Sequence, residues 1–320
     1  MRQSIYQADD HSSGEARERR ELCLRDVYYE WWRGLSRYAK ISTRQIYRYV
    51  WLRYLAKDFA ELAPSAIDEA KLQSYIARHR NLSDGTLRNH LTVLRAILCF
   101  SQAHYHTEIS YRNFRLPPYK RKRSLIGYDE YRRLQEVVLR DDRAVAGCIA
   151  IACFMGLRIG EICALRREDV DTARRLLYVR HTVQRVACSG GQKRTRLLLG
   201  SPKSASSYRV IPIPKILRKH FNLLCKNKEQ LDFIFGFKEK ILDPRTLQYR
   251  FKRYLAELAI PYFNFHQLRH NFATRCVEQR MDIKALSEIL GHSEVSTTLD
   301  LYVHPSMEFK RNQLDRLTYD

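Results

Sequence analysis

At 320 residues the chain is long enough for two domains, each with a core of its own. It carries 57 Lys and Arg against 35 Asp and Glu, a formal charge of +22 that points to a polyanionic partner. The longest uncharged apolar run, Ala144 to Leu157, has 14 residues, which is too short to span a bilayer and excludes a membrane protein on this reading.

Charge is spread along the chain, with 23 basic and 13 acidic side chains in residues 1–124 and 34 and 22 in the rest. Both halves are therefore candidates for touching the partner. Eight cysteines occur without a C-x-x-C pair, several in apolar runs, which fits reduced thiols and neither a disulfide frame nor a zinc site. With no apolar signal core at the N-terminus, a cytoplasmic location is expected.

In chain order, residues 1–20 are polar and charged and read as a loose tail. Residues 21–118 read as a helical domain. Ser42 opens an S-x-x-Q capping box with Gln45, followed by IYRYVWLRYLAKDFAEL. A further helix starts near Ser83 or Asp84, and Leu87, Leu91, Leu94 and Leu98 form one apolar stripe along it. Between Trp31 and Lys57 lie seven basic residues and no acid. Arg37, Lys40, Arg44 and Arg48 among them, interleaved with Tyr38, Tyr47, Tyr49 and Trp51, suit a surface that grips phosphates while packing sugars and bases. The bland alternative, a solvated face over an aromatic core, covers part of this set.

Pro117-Pro118 marks a boundary, because paired prolines stop a helix. Residues 119–124 follow as a basic linker whose Lys120, Arg121, Lys122 and Arg123 cannot sit in a core and could track a DNA backbone; by composition alone the run also reads as a nuclear-localisation signal. Residues 125–320 form the second domain. A helix around Asp129 to Leu139 leads to the buried run 144–157, which delivers Gly156-Leu157-Arg158 with Glu161 three residues on. That pair is either an ordinary i, i+3 ion pair or a guanidinium held rigidly for bidentate phosphate binding.

Residues 176–214 switch to strand character, with Lys203 in a Ser- and Pro-rich turn between two extended runs. The cluster from Lys193 to Arg196 is a neighbouring alternative for any role of a loop lysine. Asp243-Pro244 then caps a helix whose Leu247, Phe251, Leu255 and Leu258 form a packing stripe.

The stretch from His266 to Tyr302 carries the chemistry. His266 and Arg269 are three residues apart, on one face of a helix. His292 follows Leu290-Gly291, where glycine stops a helix. Tyr302 comes ten residues later, after Ser296, Thr297 and Thr298 as helix-start signals. Two imidazoles, a permanent cation and a phenol are what a site needs to attack a phosphodiester through tyrosine.

In order and spacing this segment resembles the C-terminal signature of the tyrosine recombinases, the phage and conjugative-transposon integrases. Their H-x-L-R-H, L-G-H and final Tyr are matched by His266, Leu268, Arg269, His270, Leu290, Gly291, His292 and Tyr302. The step of ten residues from His292 to Tyr302 is similar to the transposon-integrase branch. Arg158 with Glu161 matches the family's first arginine motif. Pro202-Lys203-Ser204, before Arg209-Val210-Ile211-Pro212, matches the hairpin that carries its lysine. The resemblance is specific from about residue 150 to 305 and only suggestive before that.

The resemblance implies a mainly α fold with a small β-sheet (α+β), a two-domain DNA clamp of a helical core-binding domain and a catalytic domain. It implies site-specific strand exchange that integrates or excises a mobile element. Tyr302 would attack the scissile phosphate to leave a 3′-phosphotyrosyl link. Arg158 and Arg269, with His292, would hold the non-bridging oxygens, and Glu161 would orient Arg158. Lys203 would protonate the leaving 5′-oxygen and His266 would assist proton removal from the phenol. No metal or cofactor is implied. Double-stranded DNA is the implied partner, with a homo-tetramer on paired sites and accessory DNA-bending or excision factors. A separate arm-site-binding domain is not expected. Two other readings stay open: relaxation of DNA in the manner of type IB topoisomerases, and a DNA-binding protein with a decayed active site.

Overall fold

The computed structural model describes residues 22–108, 126–187, 195–200, 208–236, 240–292, 311, 314 and 315. The protein is mainly α with two small antiparallel sheets, and it divides into two compact units, Met1–Arg121 and Lys122–Asp320.

In the first unit, α1 (Leu24–Leu35) is followed by α2 (Ile41–Val50), which continues through a wide turn at Trp51–Leu55 into α3 (Ala56–Phe59). Then come α4 (Glu69–Arg78) and α5 (Asp84–Tyr105). The core is aromatic at its centre, with Trp51 stacked on Tyr28 at 4.2 Å between ring centroids. The apolar stripe of α5 behaves as its spacing predicts. Leu87, Leu94 and Leu98 are buried, Leu91 packs at the margin, and the Ser83 hydroxyl accepts from the Thr86 N–H at 3.2 Å.

The capping box expected at Ser42 does not cap its helix. The turn after α1 closes through Ala39 N–H to Leu35 O at 2.9 Å. The chain therefore enters the helix at Ile41, with Lys40 as N-cap and no side-chain capping bond. An early start set by the preceding turn overrides a local signal two residues further on.

The second unit is built around α7 (Ala144–Met155), which is buried on nearly every side. Helices α6 (Tyr128–Val138), α8 (Ile159–Ala164), α9 (Arg218–Cys225), α10 (Pro244–Glu257) and α11 (His266–Glu278) pack against it. A helix apolar all round has to be central, and a 14-residue apolar run in a strongly charged chain already demanded this. The Asp243 carboxylate caps α10 by accepting from the Arg245 N–H at 3.0 Å, and Leu247, Phe251 and Leu255 face the core. α12 (Ile283–Leu290) completes the described helices, with the Asp282 carboxylate accepting from the Ala285 N–H at 2.8 Å.

Strands β1 (Val170–Asp171), β2 (Leu176–Val179) and β5 (Arg209–Pro212) form one sheet in the order β1-β2-β5. Between β2 and β5 the chain makes the separate pair β3 (Thr182–Ala187) and β4 (Thr195–Gly200). In β5, Val210 and Pro212 face outward while Ile211, opposite Leu177, is buried. Arg209 is in phase with Ile211, so the pleat sends its side chain inward, where it is 6% exposed. Among the described residues no helix is long and apolar enough to cross a membrane, and the cysteines are free thiols.

Candidate active site

Three arginines from three elements converge on one helix end, and two of them also bond one carboxylate. Arg158 is the residue before α8, delivered by Gly156, which ends α7 in the left-handed region at φ 66°. A Cβ at that glycine would lie 2.5 Å from the Phe272 ring and 2.9 Å from Leu290, so a side chain is excluded by space as well as by φ. Arg209 comes from β5, and Arg269 from the first turns of α11.

The carboxylate is Glu161, 2% exposed. Its Oε1 accepts from Arg158 Nη1 at 2.9 Å and from Arg209 Nη1 at 3.1 Å. Its Oε2 accepts from the Arg158 backbone N–H at 2.9 Å and from Arg209 Nη2 at 2.9 Å. Burial pushes the Glu161 carboxyl up, but the bonds and charge of Arg209, then the charge of Arg158, outweigh it and hold the group at about 2.

The helix end is that of α12, whose last carbonyls have no partner within the helix and carry the negative end of its dipole. Three consecutive carbonyls each take a different guanidinium. Ile289 O accepts from Arg209 Nε at 2.6 Å, Leu290 O from Arg269 Nη2 at 2.6 Å, and Gly291 O from Arg158 Nη2 at 3.2 Å. Arg269 also donates through Nη1 to Gly156 O at 2.7 Å and so ties the end of α7 to the end of α12. Gly291, at φ 64°, lets the chain turn there, and a Cβ on it would come within 3.0 Å of the Arg209 guanidinium.

Three guanidiniums thus stand beside a single carboxylate, which leaves an excess of positive charge in a partly buried site. Burial, with the like charges of Arg158 and Arg209 and against the charge of Glu161, depresses Arg269 to about 9. His292, next after Gly291, is lowered to about 4 by burial and by the charges of Arg269, Arg158, Arg209 and His270. At neutral pH its imidazole is uncharged and carries one N–H donor. An added anion would relieve the repulsion among these cations.

Of the residues the sequence singled out, Arg158, Glu161, Arg269 and His292 come together here. His266 is the first residue of α11 and is exposed; its ring meets that of His270 edge-on at 4.6 Å, and it does not share the buried setting of Arg269. Lys203 and Tyr302 lie outside the described residues, as do Lys120, Arg121, Lys122, Arg123, Lys193 and Arg194. In the first unit Arg37, Lys40 and Arg48 are exposed, whereas the Arg44 guanidinium lies over the Trp32 ring at 5.0 Å. Arg209 was absent from the candidate list. The signal for it was the alternation in RVIPIP, which puts an arginine in phase with two buried isoleucines.

Comparison with known proteins gives the family and the fold. The model of the phage integrase family matches residues 126–308. A XerC-like tyrosine recombinase of Caldanaerobacter subterraneus subsp. tengcongensis is 28% identical over 206 residues, which are 59% of this chain and 52% of that protein. The chain thus spans about half the length of that relative. Tyrosine recombinase XerA of Pyrococcus furiosus is 26% identical over 284 residues, 86% of this chain and 87% of the relative. In fold, the chain is similar to the Tn1549 transposon integrase solved in complex with a circular intermediate DNA. The TM-score is 0.77 at 20% identity, over 92% of this chain and 99% of that one. With a family match that covers more than half of its length, the chain belongs to the phage integrase family, the tyrosine recombinases.

Proposed function

We propose that this protein is a site-specific DNA recombinase that integrates or excises a mobile element through a 3′-phosphotyrosyl intermediate. The observation that carries the reading is the convergence of Arg158, Arg209 and Arg269 on the end of α12, the first two also on Glu161, beside a neutral His292. Such a cluster has surplus positive charge and oriented donors, which is what stabilises a pentavalent phosphate as its charge grows. Arg158 and Arg269 hold the non-bridging oxygens with a hydrogen bond from His292. Tyr302 is the nucleophile, and its phenol, with a pKa of about 10 in water, needs help at neutral pH from a base, His266. Lys203 gives a proton to the leaving 5′-oxygen. One phosphoester replaces another, so no energy source is consumed.

Two duplexes exchange four strands, and each strand needs its own tyrosine, which calls for four copies of the chain on paired sites. Residues 21–118 and 125–320 grip the duplex as two arms of a clamp, joined by the basic linker 119–124. Arg37, Lys40, Arg44 and Arg48 lie on one arm, and Lys120 to Arg123 on the linker. DNA-bending or excision factors act beside it, and the setting is cytoplasmic. Family membership favours strand exchange over simple relaxation, and the filled arginine cluster argues against a decayed site.

The test is a nicked duplex carrying the sequence that flanks the gene on its element. Mixed with the protein in excess EDTA, it should yield a covalent complex that survives detergent, because guanidiniums stand where a metal would otherwise neutralise the phosphate. Loss of the complex on chelation, restored by magnesium, would move the protein to another mechanism.

The Lys203 role separates from binding by chemistry at the leaving group. Lys203→Ala should lose cleavage of a normal phosphodiester, because the alkoxide leaves poorly without a proton. With sulfur in place of the bridging 5′-oxygen the leaving group needs no acid, and the variant should regain much of its rate, while Arg158→Ala should not. No rescue of Lys203→Ala, or equal rescue of both, would pass the acid role to Lys193 or Arg194.

A further inference from the structure

We propose that Arg209 is a positioning residue for the phosphate chemistry: it fixes Glu161 and the end of α12 and through them aims Arg158. The inference rests on the recombinase reading above and adds to it a residue that touches neither tyrosine nor phosphate.

The division of labour follows from exposure and from how the donors are used. The Arg158 side chain is 36% exposed, and that of Arg209 is 6% exposed. All three nitrogens of the Arg209 head are committed, Nε to Ile289 O and Nη1 and Nη2 to the two oxygens of Glu161. It presents a parallel two-bond fork to the carboxylate, the geometry that makes such pairs both strong and directional. Glu161 in turn receives one bond from each arginine on each oxygen, so its acceptor sites are filled by these two residues. Without Arg209 the carboxylate, 2% exposed, would keep only the bonds from Arg158 and would be free to rotate toward them. Arg158 would then lose its fixed direction. The Arg209 bond to Ile289 O acts in the same sense from the other side, since the next two carbonyls hold Arg269 and Arg158. β5 thereby sets the spacing between the first arginine and the turn that delivers His292.

A lysine at this position keeps the charge but supplies a point donor in place of the fork. Arg209→Lys is therefore expected to bind the nicked flanking duplex within about twofold of the wild type, while its single-turnover rate of covalent complex formation at saturating DNA falls on the order of 100-fold, the scale of a small misplacement of a group that must be aligned. If it acts through Arg158, the losses do not multiply. Arg158→Lys and the double variant Arg158→Lys/Arg209→Lys should form the complex at similar rates. Wild-type cleavage by Arg209→Lys, or a double-variant loss equal to the product of the single ones, would overturn the proposal. Should Arg209→Lys fail to fold by circular dichroism, Arg209→Met/Glu161→Gln removes both charges together and keeps the volume. That pair is expected to remain slow because nothing aims Arg158, and cleavage at the wild-type rate would overturn the proposal equally. The wild type is the control. If it forms no covalent complex, the recombinase reading itself falls and takes this inference with it, whereas a reactive wild type with an equally reactive Arg209→Lys refutes Arg209 alone.

Discussion

Tyr302→Phe is expected to abolish the covalent protein–DNA complex while leaving affinity for the duplex within about twofold, with a loss of rate on the order of 10⁴-fold or more. The substitution keeps the ring and removes only the oxygen that would be bonded to phosphorus. Nothing else in the proposed mechanism can take over that bond. The arginines stay protonated and offer no lone pair, and attack by the His292 imidazole would put a further positive charge on a ring already lowered to about 4 by burial and the neighbouring cations. The measurement is the detergent-resistant fraction formed on the nicked duplex, alongside a binding isotherm. A variant that is trapped as well as the wild type would place the nucleophile at another of the 20 tyrosines.

Arg269→Met is expected to divide activity from stability. Its two bonds, to Gly156 O and Leu290 O, are short and buried, and leaving those carbonyls without a partner costs about 1–3 kcal/mol each. Against this stands the cost of holding the charge in place. Burial and the charges of Arg158 and Arg209 depress the group to about 9, and each pKa unit corresponds to about 1.4 kcal/mol of penalty on the charged form. The two effects are of similar size and opposite sign, and methionine fills much of the vacated volume. Unfolding in denaturant should therefore change by no more than about 1 kcal/mol, in line with buried ions replaced by apolar groups of similar shape. Cleavage should fall by about 10²- to 10³-fold, the usual loss when one donor to a developing oxyanion is removed. A stability loss above about 3 kcal/mol would mean that Arg269 is held for the fold, and that its like-charge repulsion is weaker than the geometry implies.

A buried cation held beside like charges is the arrangement of a site made for an anionic ligand. Arg158, Arg209 and Arg269 repel one another, and Glu161 compensates only part of their charge. On the proposed function an entering phosphate would supply the missing negative charge, so the same cations that resist burial in the free protein would bind more tightly as charge builds on phosphorus.

Much of this was determined by the sequence alone, for physical reasons that are local. The central helix was legible because Ala144 to Leu157 has no polar face to present to water. The end of α12 was legible in Gly291, since few residues other than glycine turn the chain at positive φ, whereas the apolar run through Leu157 hid the end of α7 at Gly156. The order and spacing of His266, Arg269, His292 and Tyr302 resembled the signature of the tyrosine recombinases, the family that the match over residues 126–308 shows. Other features were decided by tertiary structure. Whether Ser42 capped a helix depended on a turn closed onto Leu35, outside the window in which a capping signal is read. Glu161 was read as the partner that orients Arg158, and only the approach of β5 gave it a second arginine and a value of about 2. Arg209 lies 48 residues from Glu161 and 80 from Ile289 along the chain, and no local rule connects them. The sheet register that sets Arg209 opposite Val179, and the burial that makes its two-bond fork strong, exist only once the strands have paired and water has left the site.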